Sequence, residues 1–173
     1  MFGKALGNGY SITAVIGRRE IMQEAQNSFI SSTFWTERIG PVAALKTLEI
    51  MEREKSWDKI TKIGSSLKIK WQGLADKFEL KISHFGLNAL AGFSFDSFNK
   101  LKYKTFISQE MLSKGYLASN SIYACTKHST DHIDGYFDNL EPIFKLISEC
   151  EAGRDIDLLL KGSVCHDGFK RLN

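Results

Sequence analysis

The hydrophobic period of this chain changes near residue 78, and that change excludes an all-helical or an all-strand architecture. From Pro41 onward, Ala44, Leu45, Leu48 and Met51 recur at helical spacing, with Lys46, Glu49 and Glu52 on other faces. Proline is well placed at a first helical position, whose N–H has no partner in any case, so a helix is expected to open at Pro41. A second helix follows directly. Ser56 suits its cap, Asp58 its first turn, and Ile60, Ile63, Leu67, Trp71 and Leu74 form a stripe in steps of three and four. Past residue 78, Leu80 and Ile82, Leu90 to Phe95, Tyr116 to Ala118 and Ile122 to Ala124 read as strands, with a helix over Thr105 to Lys114 between them. Thr130 and Asp131 open a last long helix with the stripe Ile133, Phe137, Leu140, Phe144 and Ile147 and a local kink at Pro142. A short helix follows Asp155.

The first forty residues have a different character. Gly3, Gly7 and Gly9 surround Lys4, and Ile12 to Ile16 form a short β-branched run suited to a buried strand. Arg18 to Ala25 reads as helix, and Phe29 to Thr33 as an extended stretch entering a loop that ends at Gly40-Pro41. A buried parallel strand at Ile12 needs neighbours on both sides. Nothing ahead of it supplies one, so Met1 is not expected to be the native start. With two prolines and no Gly/Ser-rich linker, the domain boundary is expected to be packed, near residue 54, giving units 1–54 and 55–173.

Composition narrows the function classes. Hydrophobic residues at 43% and charged residues at 25% describe a packed globular chain. The net charge of +3 is dispersed, as in Glu52-Arg53-Glu54-Lys55, so the basic stripe of a nucleic-acid binder is missing. No run approaches the ~20 apolar residues of a membrane span, and no basic-then-apolar leader is present, so a cytoplasmic location is expected. The odd number of cysteines, Cys125, Cys150 and Cys165, points to reduced thiols.

Several residues have the chemistry of a site. Lys4 precedes the paired glycines and no Ser or Thr follows it, so the segment is not a Walker A loop, and no dinucleotide fingerprint occurs. Cys125, His128 and His132 have spacings that a metal could use, yet the fourth ligand would have to come from Cys165-His166; a small thiol and strand-end histidines are the simpler reading, and no metal is expected. Trp35, Trp57 and Trp71 read as core or interface anchors. Glu37 and Arg38 stand near the loop, either facing substrate or as a solvated pair.

Two segments together carry a family resemblance: FGKALGNGYSITAVIGRREIM and FISSTFWTERIGPVAALKTLEIM. They resemble the lysine and phosphate-loop segments of the class-III aminotransferases, a family that includes the glutamate-semialdehyde aminomutases. The later MLSKGYLASNS and STDHID segments follow the order of that family's small domain, though Asn8 and Ser11 stand where many members have Gly and Pro. The resemblance implies an α/β, fold-type-I pyridoxal-phosphate transferase: residues 1–54 as the end of the large domain with the interdomain helix, and 55–173 as the small C-terminal α+β domain. It implies pyridoxal 5'-phosphate as cofactor, Lys4 as the Schiff-base lysine, and Thr33 as the phosphate contact, with Thr36 as the alternative when the loop is aligned back from Pro41. It implies an amino donor and a carbonyl acceptor as substrates and a homodimer as the assembly. The family's glycine-rich phosphate turn, ring-stacking aromatic and pyridine-pairing Asp precede its lysine, so the chain on its own is expected to be an inactive piece of such an enzyme.

A reading from another class is a non-catalytic α/β module that binds a partner chain through an exposed strand edge near Ile12.

Overall fold

The computed structural model describes residues 1–30, 33–34 and 36–168. It separates into two compact units, Met1–Ser56 and Trp57–Asn173.

In the first unit a 3₁₀ turn, Lys4–Leu6, is followed by α1 (Arg19–Gln23), a second 3₁₀ turn (Glu24–Asn27) and α2 (Ile39–Glu54). The strand expected over Ile12 to Ile16 is not formed. Its place is taken by a single antiparallel bridge, in which Phe2 and Ala14 exchange N–H···O bonds of 2.7 and 2.9 Å. β-branched composition makes a segment suited to a sheet, but a ladder needs partners along its length, and here Val15 and Ile16 stay exposed. The strand edge on which the partner-binding module depended is therefore absent. Of the extended stretch expected at Phe29 to Thr33, Ser31 and Ser32 lie outside the described residues, and exposed Phe29 and Ile30 belong to no regular element.

α2 starts two residues ahead of the expected Pro41. The Glu37 carboxylate accepts the N–H groups of Ile39 (2.9 Å) and Gly40 (3.2 Å), satisfying two donors that a helix start leaves open. Gly40 is buried, and a Cβ there would lie 2.7 Å from the Ser11 carbonyl oxygen, so the Ser11-Ile12 backbone rests on the first turn of α2. Ile39, Val42, Leu45 and Leu48 are exposed along the helix.

The second unit is built on α3 (Ser56–Lys77), β1 (Ile82–Phe85), β2 (Leu90–Phe95), α4 (Lys100–Ser113), β3 (Ser121–Tyr123) and α5 (Thr130–Glu151), closed by a 3₁₀ turn at Ile156–Leu158. The three strands form an antiparallel sheet in the order β1-β2-β3. The central strand buries Ala91, Phe93 and Phe95 against the helices. Phe93 meets Trp71 of α3 at 4.9 Å between ring centroids, and Phe95 meets Tyr103 of α4 and Phe144 of α5 at 5.4 and 5.3 Å. Tilted and edge-on rings at these separations add to their burial energy. Gly64 in α3 lies so close to the β1–β2 connection that a Cβ would fall 1.7 Å from the Asn88 carbonyl oxygen, and the Asn88 amide donates to Ser65 Oγ at 2.8 Å.

Two further expectations change. Tyr116 to Ala118 is not a strand: Gly115 at φ 84° turns the chain and the Tyr116 N–H goes back to the Met111 carbonyl, closing α4. α4 itself begins five residues before Thr105, and it buries Tyr103, Phe106, Ile107 and Met111. α5 opens at Thr130 as expected, and its cap is Ser129, in a reciprocal box with His132.

Candidate active site

Lys4 opens the first 3₁₀ turn with φ 51°, and its carbonyl accepts from the N–H groups of Gly7 (3.2 Å) and Asn8 (3.3 Å). A left-handed lysine is uncommon, because Cβ crowds the neighbouring backbone there. Asn8 (φ 47°) and Gly9 (φ 108°) turn the chain again. Gly7 is required sterically, since a Cβ at this buried position would lie 2.0 Å from the Tyr10 carbonyl oxygen. The glycines thus wind the backbone tightly enough to set one exposed lysine at the head of a turn.

That turn borders a hollow of about 820 Å³. Its residues come from between Lys4 and Pro41 of the first unit: Lys4; Tyr10, Ser11, Ile12, Thr13 and Val15; Met22, Ala25, Gln26 and Ile30; and Phe34, Glu37 and Pro41. Apolar walls with a few polar groups in a space of this size describe a small-molecule site. The polar set is one amine, the hydroxyl-bearing Tyr10, Ser11 and Thr13, the Gln26 amide, and the Glu37 carboxylate already committed to α2.

Lys4 is the expected site residue found in the lining. Thr33 and Thr36 are exposed and neither lines the hollow; Ser32 and Trp35, beside them, lie outside the described residues. Glu37, read as facing substrate or solvent, holds the α2 amides. No site role is given to Tyr10, Ser11 or Thr13 by the sequence reading, although their position directly after Gly7-Asn8-Gly9 is an available signal.

The Cys125 segment has a local structure of its own. His128 Nδ1 accepts the Cys125 N–H at 3.3 Å, and His132 Nδ1 lies 2.9 Å from Ser129 Oγ. Among the described residues no cluster of His, Cys, Asp or Glu could hold a metal ion. Cys125, Cys150 and Cys165 are free, and no described helix is long and apolar enough to cross a membrane.

Known proteins match both halves of this description. Residues 1–120 match the model of the family "Aminotransferase class-III". The 3-aminobutyryl-CoA aminotransferase of Cloacimonas acidaminovorans (strain Evry) is 29% identical over 141 residues, covering 76% of this chain and 33% of that protein. A glutamate-1-semialdehyde 2,1-aminomutase of Methanothrix thermoacetophila is 37% identical over 86 residues, 47% of this chain and 19% of its own. The solved structure of the PLP internal aldimine form of the Sphingopyxis sp. MTA144 FumI protein superposes with a TM-score of 0.76 at 18% identity, over 91% of this chain and 39% of that one. The chain thus spans about a third of the length of the first of these relatives. Its α/β fold is that of the type-I pyridoxal-phosphate transferases, and the chain belongs to the class-III aminotransferase family.

Proposed function

We propose that this chain supplies the cofactor-anchoring lysine and a phosphate contact of a pyridoxal-phosphate-dependent aminotransferase or aminomutase acting on a small amino or carbonyl substrate. The observation that carries the reading is Lys4, held at φ 51° on a glycine-wound turn beside a hollow of about 820 Å³.

The residues present fit that cofactor. Apolar Ile12, Val15, Met22 and Phe34 offer walls for a flat ring, and Lys4 offers the amine. Glu37 occupies the first amides of α2, so an anionic phosphate would be met by hydroxyl side chains and not by that helix end. Thr33 does not line this hollow, and it is assigned the phosphate contact in the neighbouring subunit's site, as the family resemblance implies, with Thr36 as the alternative. When bound, the cofactor supplies an electron sink for charge developing on the substrate carbon. Lys4 Nζ would hold the cofactor and would take and return the proton at the reacting carbon. Residues 1–54 belong in this reading to the large domain and 55–173 to the small one. The exposed Val42 and Leu45 support a homodimer as the assembly, and a cytoplasmic location completes the reading.

The test is borohydride trapping of protein incubated with pyridoxal phosphate, followed by peptide mapping. Label on Lys4, lost in Lys4→Ala, is expected; label spread over surface lysines with Lys4 unmodified would overturn the assignment.

A further inference from the structure

We propose that the second unit contains a binding site for a free amino acid with an apolar side chain, separate from the role given to Lys4. The unit has a hollow of about 540 Å³ between α3, the Tyr116–Ala118 segment and the start of α5. Its floor is apolar: Leu67 and Tyr136 are 1% and 5% exposed, and Ile122 and Ile133 are half-buried beside them.

Its remaining lining includes one cation and one anion, Lys127 and Asp131, both exposed. Among the described residues neither the Lys127 ammonium nor the Asp131 carboxylate has an ion-pair or hydrogen-bond partner, and they do not pair with each other. Lys70, Lys77 and Lys102 of the same unit each reach a carboxylate at 2.6 to 2.7 Å, while Lys62, Lys81, Lys100, Lys104 and Lys145, like Lys127, reach none among the described residues; of these unpartnered lysines Lys127 is the one in the lining of the hollow. One unpartnered charge of each sign beside an apolar recess is complementary to a zwitterion: Lys127 faces the ligand carboxylate, Asp131 its ammonium, and the recess its side chain. A monocarboxylate or a simple amine of the same shape would leave one charge unanswered.

The experiment titrates the 173-residue chain with L-leucine by calorimetry, alongside 4-methylpentanoate and 3-methylbutylamine, which each lack one charge. Saturable leucine binding is expected, with each analogue weaker by about tenfold or more, the effect of losing one charge-assisted contact. Lys127→Gln and Asp131→Asn should each weaken leucine by a similar factor, with folding checked by circular dichroism. Cys125 is exposed and lines the same hollow, so leucine should slow its alkylation while leaving that of Cys165 unchanged. Absent leucine binding, an analogue that binds as tightly, or leucine affinity intact in both variants would each overturn the site. Should a variant unfold, the analogue series on the unaltered protein decides.

Discussion

The Trp71 indole N–H donates to the Tyr136 hydroxyl at 3.1 Å, joining α3 to α5 at a point where Trp71 is fully buried. Burial also pushes the Tyr136 hydroxyl well above the ordinary tyrosine range. Removing one partner of such a bond strands the other away from water. Tyr136→Phe is therefore expected to destabilise the second unit by about 1 to 3 kcal/mol, measured as a lower urea midpoint with an unchanged slope.

Two glycines of α3 should answer the same substitution with opposite signs. Gly73 has nothing within 4 Å of its Cβ position, so Gly73→Ala removes the conformational cost of glycine and is expected to stabilise by about 1 kcal/mol. Gly64→Ala drives a methyl into the Asn88 carbonyl, 1.7 Å away, and is expected to lose roughly 1 to 3 kcal/mol despite the better helix former. Urea unfolding of both variants measures the difference.

Alkaline stability should be governed in part by Tyr103. Its ring is fully buried and its hydroxyl donates to Glu151 at 2.5 Å. Burial first, then the Glu151 bond, raises its pKa from 10.0 to about 12. A raised folded value means the contribution is complete below the unfolded value and is lost as pH rises from 10.0 toward 12. Chemical denaturation across that window should show falling stability, and Tyr103→Phe should flatten the fall.

The cap on α2 gives a local readout in the first unit. Glu37→Ala leaves the Ile39 and Gly40 amides without their acceptor, which for capping groups costs about 0.5 to 2 kcal/mol. Hydrogen exchange at those two amides should accelerate, while amides in the middle of α2 keep their protection.

On the proposed assignment, Thr33→Val is expected to weaken cofactor binding by about ten- to a hundredfold, the value of one hydrogen bond to a charged group, with trapping at Lys4 retained. Thr36→Val serves as the control. Fluorescence titration with pyridoxal phosphate checks it, and loss confined to Thr36→Val moves the contact by three residues.

What could be read from the sequence depended on whether a signal was local. The stripes of α3 and α5 each continue over several turns, so Leu67, Trp71, Leu74, Leu140, Phe144 and Ile147 could be placed in the core directly. The buried positions of α4, Tyr103, Phe106, Ile107 and Met111, fall on one face, but the half-buried residues between them over 101–110 blur the periodicity at its start. Ile12 to Ile16 and Tyr116 to Ala118 have strand-like residues, but strand formation is decided by a neighbour's backbone, about which a short segment says nothing. At the site, the glycines around Lys4 announced a tight turn. The capping role of Glu37 did not show, because the usual side chains at a helix start are shorter ones, Ser, Thr, Asp and Asn.

The approach of Gly64 to Asn88 is a contact between main chains, and no side chain stands between them through which substitution could retune the distance. The β1–β2 connection is consequently indexed to one turn of α3, and the two can change only together. Among relatives, a residue larger than glycine at this position should therefore travel with an altered length in that connection, so the pair records insertion history more faithfully than either segment does alone.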